Sequence, residues 1–346
     1  MAQINKSDEY FNTKLYTGNN ADGHAITGVG FQPDFLWIKC RNVAYSHRLY
    51  DSIRGVNSAL ISDQTAAENQ YVDYGQLESF DSDGFTLGIG NTGGAGTNDG
   101  NNYVAWNWLA SNTTASNTDG SITSTVSANT TSGFSIVSYT GTGANATVGH
   151  GLGVAPKVVL IKGRSTTYDW VYGGDNIGWT KYLVLNKTDA SGTSSVVWND
   201  TAPTSSVFSL GSNAAVNENT ATQIAYCFAE KKGFSKFGSY TGNGNADGTF
   251  VYTGFKPSFV MHKRTDTTNN WIMQDNKRVG YNADNRILKA NLTDAEQGVH
   301  EMDFVSNGFK IRTTGLGSNA SGGTYIYMAF AENPLVGTNN IPATAR

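Results

Sequence analysis

The sequence predicts an all-β protein made of three tandem homologous β-sandwich modules, of jelly-roll or lectin-like type. Three observations carry this. Glycine is abundant, at 40 of 346 residues, and only 15% of the chain is charged while 12% is aromatic. That profile suits a folded chain with many turns and is unlike a disordered one. Short apolar runs are separated by Gly, Ser, Thr and Asn, and the helix formers are not concentrated as a helical protein needs. Finally, one phrase occurs three times: "GFQPDFLWIK" at Gly30–Lys39, "GVAPKVVLIK" at Gly153–Lys162 and "GFKPSFVMHK" at Gly254–Lys263.

Other marks accompany the phrase in constant order. Upstream of each copy lies a Tyr-Thr-Gly, in "LYTGNNADG" from Leu15, "SYTGTGANA" from Ser138 and "SYTGNGNADG" from Ser239. Phe11, Phe134 and Phe234 precede these by a short strand length. Downstream come "SFDSDGFTLG" from Ser79, "SSVFSLG" from Ser205 and "DFVSNGFKIR" from Asp303. Each unit closes on an aromatic-rich run: "NYVAWNWLA" from Asn102, "TQIAYCFAE" from Thr222 and "TYIYMAFAE" from Thr324. A period of roughly 100–120 residues is too long for a solenoid repeat and is the size of a small domain. The expected boundaries are module 1 at 1–110, a linker at 111–133 with at most one short strand, module 2 at 134–231, module 3 at 232–334 and a tail at 335–346.

Each mark has a physical reading. Tyr-Thr-Gly ends a strand and enters a Gly/Asn turn, where positive φ is needed. In "PDFLWIK", Phe35 and Trp37 alternate with Leu36 and Ile38, so the strand is expected to be covered on both faces. Only 6 prolines occur, and Pro33, Pro156 and Pro257 hold this one position, where a missing N–H costs no ladder bond. The closing run supplies large side chains to an inter-sheet core.

Several functions are disfavoured. With a formal net charge of -4 and no basic cluster that stands out, nucleic acid is not an expected partner. No apolar run approaches a membrane span, and the polar start "MAQINKSDEYFNTK" has no signal-peptide core, so synthesis in a cytoplasm without membrane insertion is expected. Cys40 and Cys227 are read as small buried residues. His24 and His150 lack a counterpart in the third unit and are read as satisfied surface residues. Asp81, Asp83 and Gly84 resemble the start of a calcium loop, but "FTLGIG" supplies no bidentate acid, so a tight turn is the reading. Gly88–Asn102 is glycine-rich but opens no helix, which makes it a hairpin loop. No acid pair, nucleophile elbow or cofactor fingerprint is visible, and no cofactor or metal is expected.

The aromatics in the variable middles of the units are the candidate binding residues. They comprise Tyr45, Tyr71, Tyr74, Tyr168, Trp170, Tyr172, Trp179, Trp198 and Trp271. Tyr45, Tyr74, Tyr168, Trp170, Trp179 and Trp271 are singled out. Core packing and a loop surface for glycans or proteins both remain open for them.

Together, "YFNTKLYTGN", "GHAITGVGFQPDFLWIK", "SFDSDGFTLG", "NNYVAWNWLA", "GFSIVSYTGTGANATVGHGLG" and "GGTYIYMAFAE" resemble a family of virion proteins of marine tailed bacteriophages, from Tyr10 to about Glu332. The resemblance implies a non-enzymatic particle component: a tail fibre or tail-associated protein displaying loops for host attachment, or a capsid decoration or head fibre. It transfers no catalytic residues. A glycan-binding adhesin is the alternative from another class, and a polysaccharide depolymerase the least favoured. The implied partners are other virion proteins and a host-surface glycan or protein. Homo-oligomerisation is expected, with a trimer favoured. The competing expectation is that the three modules of one chain form a pseudo-threefold block themselves.

Overall fold

The repeated phrases are the centres of three large sheets. In a computed structural model, residues 3–69, 75–91, 93–278, 282 and 286–336 are described. About 45% of the chain is strand and 3% helix, in several separate sheets. The first stretch carries β1 (Phe11–Thr17), β2 (His24–Thr27), β3 (Phe35–Cys40), β4 (Arg48–Asp51), β5 (Gly55–Leu60), β6 (Gln76–Asp81), β7 (Gly84–Gly88) and β8 (Asn102–Trp108). The second carries β9 (Ala115–Asn117), β10 (Ser124–Asn129), β11 (Phe134–Thr140), β12 (Ala146–Gly149), β13 (Val158–Gly163), β14 (Val171–Gly174), β15 (Lys181–Val184), β16 (Gly192–Thr193), β17 (Val207–Leu210) and β18 (Thr222–Phe228), with two one-turn helices, α1 (Ser195–Trp198) and α2 (Ala214–Asn217). The third carries β19 (Ser235–Thr241), β20 (Phe250–Tyr252), β21 (Phe255–Arg264), β22 (Trp271–Asp275), β23 (Arg286–Lys289), β24 (Gln297–Gly298), β25 (Met302–Val305), β26 (Gly308–Ile311) and β27 (Thr324–Pro334).

One strand order recurs. The large sheets run β1-β8-β3-β4-β5, β11-β18-β13-β14-β15-β16 and β19-β27-β21-β22-β23-β24. In each, the closing run lies between the Tyr-Thr-Gly strand and the phrase strand. The small sheets are β2-β7-β6, β12-β17 and β20-β26-β25. The pairings align residue by residue: Phe35, Val158 and Phe259 face Trp108, Phe228 and Phe330.

Two corrections concern particular segments. Residues 111–133, read as a linker, carry β9 and β10, which extend the second large sheet beyond β11. Ile122 and Val126 are buried there, and the Asp34 carboxylate accepts from the Ala110 and Asn112 N–H groups, so the segment is tied down at both ends. Pro33 and Pro156 precede β3 and β13 as expected, but Pro257 lies inside β21, at a register shift against β27. A bulge is where a residue without an N–H fits within a ladder.

The turn entered by Tyr-Thr-Gly has the expected positive φ, and the glycine of the mark has a further reason of its own. A Cβ on Gly18, Gly141 or Gly242 would lie 1.8, 2.2 or 2.3 Å from a backbone oxygen of the crossing loop, so close approach excludes any side chain. Positive φ falls two residues later, at Asn20, Gly143 and Gly244. The crossing loop is held by a buried asparagine. Asn98, Asn217 and Asn319 accept from the N–H of Asn19, Thr142 and Asn243, and the hydroxyls of Tyr16, Tyr139 and Tyr240 donate to the adjacent carbonyls of Thr97, Val216 and Ser318.

Strands covered on both faces account for the tertiary arrangement. One face of each large sheet packs on its small sheet: Leu36 and Ile38 in the first, Val159 and Ile161 in the second, Val260 in the third. The other face joins a single core common to all three stretches, containing Phe35, Trp37, Trp106, Val158, Leu160, Tyr226, Phe259, Met261 and Phe330. Phe35 meets Tyr226 at 4.4 Å between ring centroids, Phe11 meets Phe330 at 5.2 Å and Tyr172 meets Trp271 at 5.3 Å, each pair crossing between stretches.

The seams around this core use equivalent residues head to tail. His47, Trp170 and Trp271 occupy one position, just before Leu49, Tyr172 and Met273 in register. The indole Nε1 of Trp170 donates to the Ile61 carbonyl at 2.8 Å, that of Trp271 to Val184 at 3.0 Å, and His47 Nε2 lies 3.0 Å from the Lys289 carbonyl. The second stretch thus grips the first, the third grips the second and the first grips the third. Backbone bonds repeat the cycle: Glu68, Ser191 and Glu296 N–H donate to the Arg164, Thr265 and Arg41 carbonyls. At two seams a buried ion network adds to this. Arg54 pairs with Asp51, whose Oδ2 also accepts from Tyr226, and Arg164 meets Glu68 with two bonds. Arg278 pairs with Asp275, whose Oδ2 accepts from Trp106 Nε1, and Arg41 meets Glu296 with two bonds. At the third seam Gly174, Ile177, Ser191 and Thr265 hold the same places without charge.

The closing lysines of the phrase, Lys39, Lys162 and Lys263, are fully buried, and each ammonium donates to the carbonyl of the next residue. Burial pulls each down to about 8. The nearby carboxylates oppose the shift: Asp63 and Asp294 for Lys39, Asp169 for Lys162, Asp189 and Asp266 for Lys263.

Two outcomes follow from this packing. Because the common core spans the whole chain, denaturation monitored by tryptophan fluorescence and by circular dichroism is expected to give one coincident transition, and Trp271→Ala to cost about 3–5 kcal/mol. Two separated transitions would contradict it. For the lysines, the folded chain binds fewer protons than the unfolded chain once pH exceeds about 8. Stability is therefore expected to rise between about pH 8 and about pH 10, until tyrosine ionisation in the unfolded chain opposes it. Replacing all three with Met is expected to flatten that rise in urea midpoints.

Candidate functional site

Most aromatics singled out from the sequence are structural. Trp170 and Trp271 are seam residues and are completely covered. Trp179 is buried against Trp198 in an edge-on contact of 5.4 Å, and its Nε1 donates to Asp175. These three were expected to be possible loop-surface residues. Trp170 and Trp271 are anchored because a large ring with one N–H donor suits a seam that offers a single carbonyl acceptor, and Trp179 because the second inter-sheet core covers its ring beside the Asp175 carboxylate. Tyr45 is half-buried against the first inter-sheet core, and hydrogen bonding to Asp99 raises its phenol. Tyr168 is 40% exposed, with its hydroxyl 3.5 Å from Glu218. Tyr74, and Tyr71 beside it, lie outside the described residues.

The groups considered for chemistry are committed to the fold. His150, expected at the surface, is buried: its Nδ1 accepts from the Leu152 N–H and its Nε2 lies 3.2 Å from the Thr204 carbonyl. His24 is half-buried, 2.6 Å from the Asn98 amide oxygen. Asp81 accepts from the Ser79 and Thr86 hydroxyls, while Asp83 accepts from the Gly28 and Gly30 N–H groups, which hold its carboxyl below the usual range. The calcium-like triplet is thus a hairpin lock. Cys40 and Cys227 are buried free thiols, pushed up by burial. Among the described residues, no three His, Cys, Asp or Glu side chains gather where a metal ion could sit, and no helix is long and apolar enough to cross a membrane.

Two clefts open where the seams meet solvent beside Pro156 and Pro257. Between the first and second stretches this end is plugged by residues 109–113, through the Asp34 bonds. Between the third and the first, a cleft of about 250 Å³ is lined by Asp8, Asn12, Ser258, Lys277 and Glu332. Between the second and the third, a cleft of about 520 Å³ is lined by Lys157, Glu230, Lys231, Lys232, Lys236 and Tyr252. Here the short "AEKKGFSK" junction turns from β18 into β19. Lys157 pairs with Asp175 at 2.5 Å, Lys236 with Glu230 at 2.7 Å, and Lys231 donates to the Thr130 carbonyl. Tyr252 is 57% exposed and Phe250 44%. They stand two residues apart on β20, an edge strand. Sequence reading missed this cluster because Lys157 and Tyr252 are distant in the chain from "EKKGFSK". The one available signal was three lysines within six residues, at 231–236.

A family described as a domain of unknown function (DUF7483) matches residues 6–334, and the chain belongs to it. No curated protein and no solved structure matches the chain.

The two kinds of aromatic should separate by mutation. Trp179→Ala is expected to cost about 3–5 kcal/mol and Tyr168→Ala less than about 0.5 kcal/mol, read from denaturant midpoints. Equal losses would show that the surface assignment of Tyr168 is mistaken.

Proposed function

We propose that the chain is a non-enzymatic structural protein of a virus particle. In this reading it is made in the host cytoplasm and built into the virion, as a tail-associated block whose outer loops attach to a host surface. Its units are three tandem homologous β-sandwich modules of lectin-like or jelly-roll type, closed about a pseudo-threefold axis. The observation that carries the proposal is the head-to-tail cycle of Trp170, Trp271 and His47. It makes three repeats into one rigid scaffold and leaves the small sheets and their loops facing outward. Rigid display on a symmetric support is the demand made on a particle fitting. The family resemblance in the tyrosine, phrase and closing-strand motifs supplies the viral setting. Its partners are then other virion proteins and a host-surface glycan or protein.

Closure of the cycle within one chain supports a pseudo-threefold block over a trimer of chains, because equivalent seam partners are already satisfied. Such a block fits a threefold or sixfold position of a particle as a single copy, on the head or on the tail.

Light scattering of the purified protein is expected to return about 37.0 kDa. A mass of three chains would restore the trimer. Antibody labelling and copy number in a purified particle test the setting: a few to a few dozen copies at the tail fit the proposal, and absence of the protein from the particle defeats it.

A further inference from the structure

The cleft between the second and third stretches is cationic by more than the fold requires. Lys157 corresponds in register to Asp34 and Ser258 of the other stretches, and Lys236 to Asn12 and Ser135. Counting on from Phe228, Trp108 and Phe330, Lys231 matches Ser111 and Asn333, and Lys232 matches Asn112 and Pro334. Every counterpart is uncharged or acidic, yet the other two seams close as well. The lysines are therefore not a condition of closure. Four lysines meet two carboxylates, Glu230 in the lining and Asp175 on Lys157, in a chain whose formal net charge is -4.

The aromatic pair is equally local. Tyr252 corresponds to Thr27 and Gly149, and Phe250 to Ala25 and Thr147. Only β20 puts two large rings on the outward face of the strand, about 7 Å apart along it. Val251 between them is buried in the third inter-sheet core, which fixes both rings outward. Exposed rings beside a cleft of this size form a stacking platform for the apolar faces of sugar rings. The ammonium groups at its edge supply the counter-charge for a carboxylate or sulfate.

We propose that this cleft binds a short anionic oligosaccharide, with a sugar ring on Tyr252 and its acidic group among Lys157, Lys232 and Lys236. Glu230 and Asp175 limit affinity, because their carboxylates occupy Lys236 and Lys157 and repel the ligand. Lys231 lies deeper and organises the floor through the Thr130 carbonyl. The proposal deepens the host-attachment reading and rests on it for the biological source of the glycan, but the cleft can be tested alone.

Calorimetric titration of the intact protein at low ionic strength would use four probes: a hexamer of galacturonate, a sulfated dextran hexamer, neutral dextran hexamer and hexaglutamate. Binding of either anionic sugar, with the neutral hexamer and the peptide at least about tenfold weaker, is expected. The stronger of the two anionic sugars identifies the acidic group as carboxylate or sulfate. Tyr252→Ala is expected to lose about tenfold, Lys232→Gln to lose several-fold with a shallower salt dependence, and Glu230→Gln to gain. All three side chains are at or near solvent, and an unchanged melting midpoint certifies each variant. The proposal is overturned if no sugar binds, if the neutral hexamer binds as well, if hexaglutamate competes equally, or if Tyr252→Ala and Glu230→Gln leave affinity unchanged. A failed titration with the protein present in particles removes the cleft alone. Sugar binding by a protein absent from particles removes only the virion setting.

Discussion

The structure depends on burying both faces of three sheets at once. A strand such as β3 presents Phe35 and Trp37 to one side and Leu36, Ile38 and Cys40 to the other. Its small sheet, β2-β7-β6, covers only the second side. The first side needs a surface of equal size, and the other two large sheets supply it. A core built this way is shared, so no stretch can bury its aromatic face alone. Burial of several aromatic rings per stretch is the largest favourable contribution available to a chain with so little charge.

Shared burial requires a means of setting the angle between sheets, since apolar contact is not directional. The seam residues provide it. Each of Trp170, Trp271 and His47 combines a ring in the common core with one polar atom on a carbonyl of the neighbouring stretch. The Asp51–Arg54 and Asp275–Arg278 pairs lie just behind two of these contacts and fix Tyr226 and Trp106 through the same Oδ2 that accepts from the arginine Nε. Buried ion pairs of this kind add little net stability over an apolar replacement, and their retention is better understood as specification of geometry. The seam between the second and third stretches has none, and it is the one with the short covalent junction. There, chain connectivity through residues 229–234 does part of the positioning that charge does elsewhere. The same junction brings Lys231, Lys232 and Lys236 to the cleft mouth.

Much of this was legible in the sequence. Three repeats of one phrase and the alternation inside it located the three central strands, its proline marked the entry of β3 and β13 but not of β21, and the Tyr-Thr-Gly and closing runs located their neighbours in the sheets. The candidate site was less legible. Trp170, Trp179 and Trp271 stand in polar, glycine-rich surroundings, which read locally as loops. Their burial comes from contacts with residues up to about 110 positions away, which local composition cannot report. The asparagines Asn98, Asn217 and Asn319, four or five residues before each closing strand, were readable as a repeat but sit in stretches of such ordinary turn composition that they do not stand out.

By itself the sequence determined the all-β class and the strands that carry its repeated marks, because side-chain alternation and turn chemistry act between near neighbours. Only the tertiary structure decided that the second faces of the sheets meet one another, that residues 111–133 extend a sheet instead of spanning a gap, and that four lysines and an exposed tyrosine share a cleft. These outcomes depend on which surfaces can be covered simultaneously. That is a property of the whole packed chain, and no single segment encodes it.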